Sequence, residues 1–313
     1  MALAPIDLTD RRVLITGATG QVALPVVAAY AKAAEVFALA RFRRDEDVAR
    51  IRDLGAVPIR ADLGDPASLR RLPADIDYVL DFAVARSGRW DVDLRTNAEG
   101  IGDLMMQLPH AKAVLHCSSA AVYAYRGPAP HREDAPLGDN HRAFFPTYSI
   151  SKIAAESTVR LCARRLGVPA TIARLSVPYG DNGGWPFYHL VAMRNGAPIV
   201  VHPERPNLYN PLHVDDYLEK IPRLLAAASI ETTTVNFGGS APVSIEEWCA
   251  YLGDLTGLTP TFTDDPEAFG SLRLDTDRMH ELIGPTRVPW REGVLRMVRA
   301  LTPDALRPEH RPR

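Results

Sequence analysis

A tyrosine and a lysine that could move a proton lie four residues apart in the segment FFPTYSISKIAAE, at Tyr148 and Lys152. Residues at this spacing share one face of a helix. An isolated phenol is protonated at neutral pH, and a lysine ammonium one turn away stabilises the phenolate that proton transfer requires. Because the spacing Tyr-x-x-x-Lys is also common by chance, the remainder of the sequence must decide whether the pair is catalytic.

A second candidate for this chemistry is the serine pair Ser118 and Ser119, which ends the apolar run 111–119. If that run is a strand of an open α/β sheet, its carboxyl end lies at the edge where such sheets bind ligands. A serine hydroxyl there can hydrogen-bond a substrate oxygen. The alternative is that the two serines only cap the end of the strand.

The elements that must position these groups alternate between strands and helices over the first half of the chain. The first helical stretch is 21–33, and others separate most of the apolar runs. This alternation predicts an α/β fold with a parallel sheet that helices cover on both faces. The predicted strands are 11–17, 35–41, 56–63, 77–85, 111–119 and 169–176.

The pattern loosens after residue 176 and indicates a smaller C-terminal lobe. A helix is predicted over 244–257, where Ser244 and Glu247 form a candidate capping box and Gly257 a C-terminal stop. A second helix is predicted over 290–301, with an apolar stripe along one side.

A glycine turn follows the first predicted strand in the segment VLITGATGQVA, with Ala23 in the third glycine position. Gly17 allows the sharp turn into the helix, and Gly20 lets the backbone approach a pyrophosphate that binds at the helix N-terminus. A bare turn without a ligand is the alternative. The position in the first βα unit favours a dinucleotide site formed by Gly17, Thr19, Gly20, Gln21 and Val22.

The end of the second strand favours NADP over NAD. Ala40 occupies the place where an NAD site usually has an acid for the ribose 2′-hydroxyl. Arg41, Arg43 and Arg44 follow and suit a 2′-phosphate, although a solvated basic loop would have the same composition. Asp62, with Leu63 after it, follows the third strand and is placed to meet the adenine ring.

Composition excludes several other classes of protein. The 313 residues carry a formal net charge of −2, which gives no indication of a nucleic-acid or anionic-membrane partner. No apolar run reaches the roughly 18 residues of a membrane span, and no signal peptide is recognisable at the N-terminus. Three separated cysteines without zinc spacing predict reduced thiols, no metal and a cytoplasmic location.

Together these segments resemble the extended short-chain dehydrogenase/reductase family, the NAD(P)-dependent epimerase/dehydratase group. The resemblance runs over nearly the whole chain, and its motifs are specific through their order and spacing. It is carried by TGATGQVA (16–23), DL (62–63), RTNAEG (95–100), SSAAVY (118–123), YSISK (148–152), RLSVPYG (174–180) and HVDD (213–216).

The resemblance implies a doubly wound Rossmann sheet and gives its residues roles. Ser119 matches the catalytic serine, Tyr148 the acid/base tyrosine, Lys152 its lysine partner and Asn97 the family's helix asparagine near the cofactor. It also implies a homodimer that pairs helices within 91–108 and 148–166. The expected domains are a Rossmann domain over 1–176 plus about 213–237, a substrate lobe over about 177–212 and 238–302, and a flexible tail over 303–313.

Departures from the family concern the substrate. Val177 stands where nucleotide-sugar members often have an asparagine, and Tyr209 stands where many have an arginine. Both differences disfavour a nucleotide diphosphate substrate, and SSAAVY lacks the acid of the dehydratases. The remaining candidates for substrate contacts are Trp185, His189, His202, Arg205 and Tyr209, for each of which structural packing is an equal alternative.

The favoured function is an NADP-dependent oxidoreductase that acts on a small molecule with a secondary alcohol or carbonyl. A sugar epimerase with bound NAD would use the same three catalytic residues and remains an alternative. A cofactor-binding regulator without catalysis is the third possibility, because fold alone does not determine function.

Overall fold

Seven parallel strands form the central sheet of the computed structural model, which describes residues 2–311. Their spatial order is β12-β6-β5-β4-β1-β2-β3. The strands of this sheet are β1 Arg12–Thr16, β2 Glu35–Ala40, β3 Val57–Arg60, β4 Tyr78–Asp81, β5 Ala113–Ser119, β6 Ala170–Leu175 and β12 Thr233–Phe237. The shorter strands are β7 Pro178–Gly180, β8 Gly183–Gly184, β9 Ile199–Val201, β10 Leu208–Tyr209, β11 Leu212–His213, β13 Val243–Ser244 and β14 Phe262–Asp264.

Helices cover both faces of the sheet and build most of the C-terminal lobe. They are α1 Ala23–Tyr30, α2 Asp45–Asp53, α3 Pro66–Leu69, α4 Trp90–Leu94, α5 Gly100–Gln107, α6 Tyr148–Leu166, α7 Trp185–Arg194, α8 Val214–Ala226, α9 Ile245–Thr256, α10 Asp277–Ile283 and α11 Trp290–Leu301. A π-helical turn, Arg95–Glu99, joins α4 to α5. No helix among residues 2–311 is long and apolar enough to cross a membrane.

The six strands predicted from apolar runs are all present, each within a few residues of its predicted bounds. β1, β2, β4, β5 and β6 are largely apolar because both faces of the sheet are buried there, whereas β3 at the edge is partly exposed. One core cluster packs α1 and α8 on one face, and a second packs α5 and α6 on the other. The seventh strand, β12, pairs in parallel with β6 at the edge of the sheet.

The C-terminal lobe has its own core around the fully buried Trp248 of α9. The predicted capping box of this helix is formed, since Ser244 accepts from the Glu247 backbone N–H and Glu247 accepts from that of Ser244. Gly257 ends the helix at φ +81°, a conformation that glycine adopts without a Cβ penalty.

The segment predicted as a flexible tail packs back onto the lobe over residues 303–311. Leu306 is 1% exposed within the lobe core. The Arg307 backbone N–H donates to the Leu255 carbonyl at 2.9 Å, and the Arg299 guanidinium donates to the His310 carbonyl. An apolar anchor in a polar sequence therefore holds the segment. Residues 312 and 313 of the predicted tail lie outside the described residues.

Candidate active site

A cleft of about 860 Å³ opens at the carboxyl edge of the sheet and collects most of the predicted site residues. Its lining combines the glycine turn, the loops that follow β2, β3 and β4, the end of β5 and the start of α6. The predicted residues in the lining are Gly17, Thr19, Gly20, Gln21, Val22, Arg41, Arg43, Arg44, Asp62, Leu63, Ser119, Tyr148 and Lys152.

The glycine turn fits the cradle that a dinucleotide phosphate requires. Gly17 has φ +64°, and a Cβ there would lie 2.9 Å from the Ala83 Cα, so that only glycine is accommodated. The Thr16 hydroxyl fixes the neighbouring loop by accepting from the Phe82 and Ala83 backbone N–H groups at 3.1 and 3.0 Å. The turn leads into α1, which has no side-chain N-cap, and the positive end of a helix dipole favours an anion at this point.

A buried carboxylate beneath this turn was not singled out from the sequence. Asp81 accepts from the Thr16 hydroxyl at 2.5 Å and contacts His116 Nδ1 at 2.7 Å, with both partners buried. Burial by itself raises the pKa of Asp81. The hydrogen bond and charge of His116, together with the charge of Lys152, outweigh the effect of burial, so that the pKa of Asp81 is lowered. This network fixes the ends of β1, β4 and β5 relative to one another.

The loop after β2 presents two unpaired arginines to the cleft. Phe42 is buried at φ +43°, and Arg41 and Arg43 on either side of it are exposed in the cleft lining. Arg44 instead forms a two-point contact with Asp47, with its shorter hydrogen bond at 2.8 Å. Of the three arginines that the structure describes in this loop, Arg41 and Arg43 therefore remain without a carboxylate partner in the cleft.

Tyr148 is the first residue of α6 and Lys152 lies one turn later, as the spacing predicts. The Lys152 ammonium donates to the Cys117 carbonyl at 2.7 Å, which holds it against the end of β5. Ser119 Oγ accepts from the Ala121 backbone N–H at 3.2 Å. This bond leaves the serine proton free to donate to an oxygen in the cleft.

A third residue on the same face of α6 anchors the helix. Glu156 follows Lys152 by four residues, is fully buried and accepts from Ser118 at 2.7 Å and from Arg174 at 2.8 and 2.9 Å. Burial raises the pKa of Glu156. The hydrogen bonds that Arg174 donates, together with its positive charge, lower the pKa by more, so that the net shift is downward. The carboxylate fixes the rotation of α6 that directs Tyr148 and Lys152 into the cleft.

Asn97 lies beneath the cleft and does not line it. Its side-chain oxygen accepts from the Ala85 backbone N–H at 2.7 Å, and its amide nitrogen donates to the Ala85 carbonyl and to Ser151 Oγ, each at 2.9 Å. The asparagine predicted to contact the cofactor therefore connects the loop after β4 to α6.

The predicted substrate residues do not line this cleft. Trp185 contacts the rings of Trp248 and Tyr209, and Tyr209 is buried and donates to the Gly270 carbonyl at 2.7 Å. His189 accepts from Trp248 Nε1 at 2.8 Å, and burial lowers its pKa to about 4, so that it is neutral. These three residues belong to the packing of the lobe.

Two further substrate candidates lie at the surface of the lobe. Arg205 pairs with Asp264 and lies 3.7 Å from Glu246. His202 accepts from the Glu204 backbone N–H and lines a separate pocket of about 240 Å³. No local pattern predicts how these side chains pack, because the aromatic segments of the lobe lack regular periodicity.

The sequence profile of the NAD dependent epimerase/dehydratase family matches residues 13–238. The chain belongs to this family. It is therefore an NAD(P)-dependent enzyme of the extended short-chain dehydrogenase/reductase type. The matched range contains the glycine turn and Ser119, Tyr148 and Lys152. A comparison with curated proteins finds no match.

Solved structures show the same fold at low sequence identity. UDP-glucuronic acid 4-epimerase from Bacillus cereus, in complex with UDP-glucuronic acid and NAD, matches with TM-score 0.77, 19% identity, 91% of this chain and 97% of that chain. The dTDP-glucose 4,6-dehydratase DesIV from Streptomyces venezuelae, with NAD bound, matches with TM-score 0.78, 22% identity, 92% of this chain and 96% of that chain.

Proposed function

We propose that this protein is an NADP-dependent oxidoreductase that interconverts a secondary alcohol and a carbonyl, with Tyr148 as the acid/base. The observation that carries the proposal is the arrangement of Ser119, Tyr148 and Lys152 in one cleft with the glycine turn. The cytoplasm is the proposed location, in keeping with three free cysteines.

In this mechanism the glycine turn, the arginines Arg41 and Arg43, and Asp62 would hold the cofactor, since all of them line the cleft. A bound nicotinamide supplies hydride transfer at the substrate carbon. Ser119 donates a hydrogen bond to the substrate oxygen, and Tyr148 gives or takes the proton at that oxygen. Lys152 provides the positive charge that favours the tyrosinate, since its ammonium is fixed at the end of β5.

Replacement of the phenol tests this function. We expect Tyr148→Phe to lower kcat about 10²- to 10⁴-fold for reduction of ketones with NADPH, while the Kd of NADPH stays within about twofold, because the ring and helix remain. NADPH absorbance and fluorescence titration provide the two measurements. Unchanged turnover would refute the role of Tyr148. Cofactor binding without any turnover of ketones, polyols or sugars by the wild type would favour the regulator.

The preference for NADP rests on the arginines after β2. The solved relatives named above contain NAD, but this chain has Ala40 and two exposed arginines where an acid would bind the ribose 2′-hydroxyl. We expect NADP to raise the Tm of the protein more than NAD does. The double variant Arg41→Ala and Arg43→Ala should lose most of this difference in Tm between the two cofactors. Arg52→Ala, an exposed arginine on α2 outside the cleft lining, is the control. A larger Tm increase with NAD would overturn the proposed preference.

A sugar epimerase is the second candidate, because the solved structures with this fold include the UDP-glucuronic acid 4-epimerase from Bacillus cereus. An epimerase would interconvert two sugars without net oxidation of the cofactor. Product analysis after incubation with UDP-glucose, alongside NADPH absorbance, distinguishes the two functions.

A further inference from the structure

We propose that Arg86 recognises an anionic group, a carboxylate or a phosphate, on the substrate of this enzyme. Arg86 lies in the loop between β4 and α4 and lines the same cleft as Ser119 and Tyr148. The residue has no place in the family motifs and was not identified from the sequence. The proposal rests on the oxidoreductase function and adds the chemical class of its substrate.

Two ring contacts place Arg86 at the catalytic end of the cleft. Its guanidinium carbon lies 5.2 Å from the centroid of the Phe145 ring. That ring lies 6.1 Å, centroid to centroid, from the ring of Tyr148. A guanidinium held over an aromatic face by its charge keeps N–H groups available for a carboxylate or phosphate.

The backbone on both sides of Arg86 is fixed to the elements that carry Tyr148. On one side, Asn97 holds both backbone groups of Ala85 and also binds Ser151 of α6. On the other side, the fully buried Asp93 accepts from the Ser87 and Gly88 backbone N–H groups. Asp93 also accepts from the hydroxyl of Thr147, the residue before Tyr148. Two buried side chains thus fix the Arg86 backbone relative to the catalytic tyrosine.

The charges around the cleft leave Arg86 without a protein counter-ion. No carboxylate of residues 2–311 forms an ion pair with Arg86, whereas Arg89 of the same loop pairs with Asp91 at 2.9 Å. The carboxylates in the cleft lining are Asp47 and Asp62, both from the part predicted to hold the adenosine. The catalytic end therefore carries Arg86 as a cation without an ion-pair partner among residues 2–311, which favours an anionic substrate.

Matched pairs of ketones test this inference. The carboxylate pair is 4-acetylbenzoate and acetophenone, and the phosphate pair is dihydroxyacetone phosphate and dihydroxyacetone, each reduced with NADPH. We expect the wild type to favour the anionic member of at least one pair by about tenfold or more in kcat/KM. The pair that shows the larger ratio identifies the anion.

The expected result for Arg86→Ala is a ratio near one, with partial retention in Arg86→Lys. Arg89→Ala, an exposed arginine already engaged by Asp91, should keep both rates of the wild type. The proposal would be overturned if Arg86→Ala kept the wild-type ratio. It would also be overturned if the wild type reduced the neutral ketones with the same kcat/KM as the anionic ones. A weakened NADPH Kd with an unchanged ratio would assign Arg86 to the cofactor instead.

Calorimetric titration separates failure of this inference from failure of the proposed function. The same ketones are titrated into protein saturated with NADP⁺, which cannot reduce them. Tighter binding of the anionic member that is lost in Arg86→Ala, without turnover of any ketone by NADPH, would refute the oxidoreductase and retain the anion site. Turnover of ketones in which neither the binding nor the rate depends on Arg86 would refute the anion site and retain the oxidoreductase.

Discussion

Glu156 is the residue whose removal should most affect the orientation of the catalytic face. Its carboxylate is fully buried and accepts hydrogen bonds from Arg174, Ser118 and Arg160. We expect Glu156→Gln to lower the free energy of unfolding by roughly 3–5 kcal/mol, because the buried Arg174 loses its charge partner. Urea unfolding measures this loss. Glu99→Gln, at an exposed carboxylate in the π-helical turn, is the control, and an equal effect there would contradict the explanation.

The same carboxylate predicts a dependence of stability on pH. The pKa of Glu156 in the folded protein lies below its ordinary value of 4.5, since the charge and hydrogen bonds of Arg174 outweigh burial. Its contribution is therefore fully present at neutral pH and is lost as the pH falls below about 4.5 toward the lower folded-state pKa. Urea unfolding between pH 7 and pH 3 should show a smaller decline for Glu156→Gln than for the wild type. Parallel declines would count against this assignment.

At the residue scale, the sequence predicts side chains that belong to ordered motifs. Gly17, Tyr148 and Lys152 are identifiable because their types, spacing and chain order are constrained together. Arg86 is a single arginine in a loop, and only the positions of Asn97 and Asp93 reveal that its backbone is fixed. Trp185 and Tyr209 are candidates for the cleft from their sequence, but their packing depends on contacts distant in sequence, which a local pattern does not specify.

At the element scale, helix termini are well determined by local sequence. The capping box of α9 satisfies backbone N–H groups that would otherwise lack partners. We expect Ser244→Ala to lower the free energy of unfolding by about 1 kcal/mol, measured by urea unfolding. Ser157→Ala, at an exposed site within α6, should be neutral or slightly stabilising. Equal losses in both variants would contradict the role of the cap.

Strand existence follows from continuous apolar runs, whereas the edge strand β12 lacks such a run. β1 and β6 are buried on both faces and stand out as apolar segments. β12, with the sequence TTVNF, lies at the edge and is half polar, so composition alone does not distinguish it from a loop. The packing of the segment after α11 is hard to predict for a related reason, because its contact with the lobe core depends on one buried leucine, Leu306.

At the scale of the whole molecule, the surface of the α4–α6 layer carries exposed apolar side chains. Met106 of α5 is 54% exposed, Leu161 of α6 is 50% exposed and Trp90 of α4 is 47% exposed. α5 and α6 pack closely, since a Cβ at Gly102 would lie 2.8 Å from the Thr158 side chain. We propose that a second copy of the chain covers this layer, which corresponds to the helices that pair in the family the sequence resembles.

Charge substitutions on this layer test the homodimer. We expect the wild type to be a dimer at micromolar concentration and Leu161→Glu or Met106→Glu to be monomeric, because a buried unpaired carboxylate at an apolar interface costs several kcal/mol. Light scattering after size exclusion measures the mass. Ile230→Glu is the matched control, since this isoleucine is 46% exposed in the connection between α8 and β12 and should leave the dimer intact. A monomeric wild type, or dissociation by all three substitutions alike, would exclude the α4–α6 layer as the specific interface.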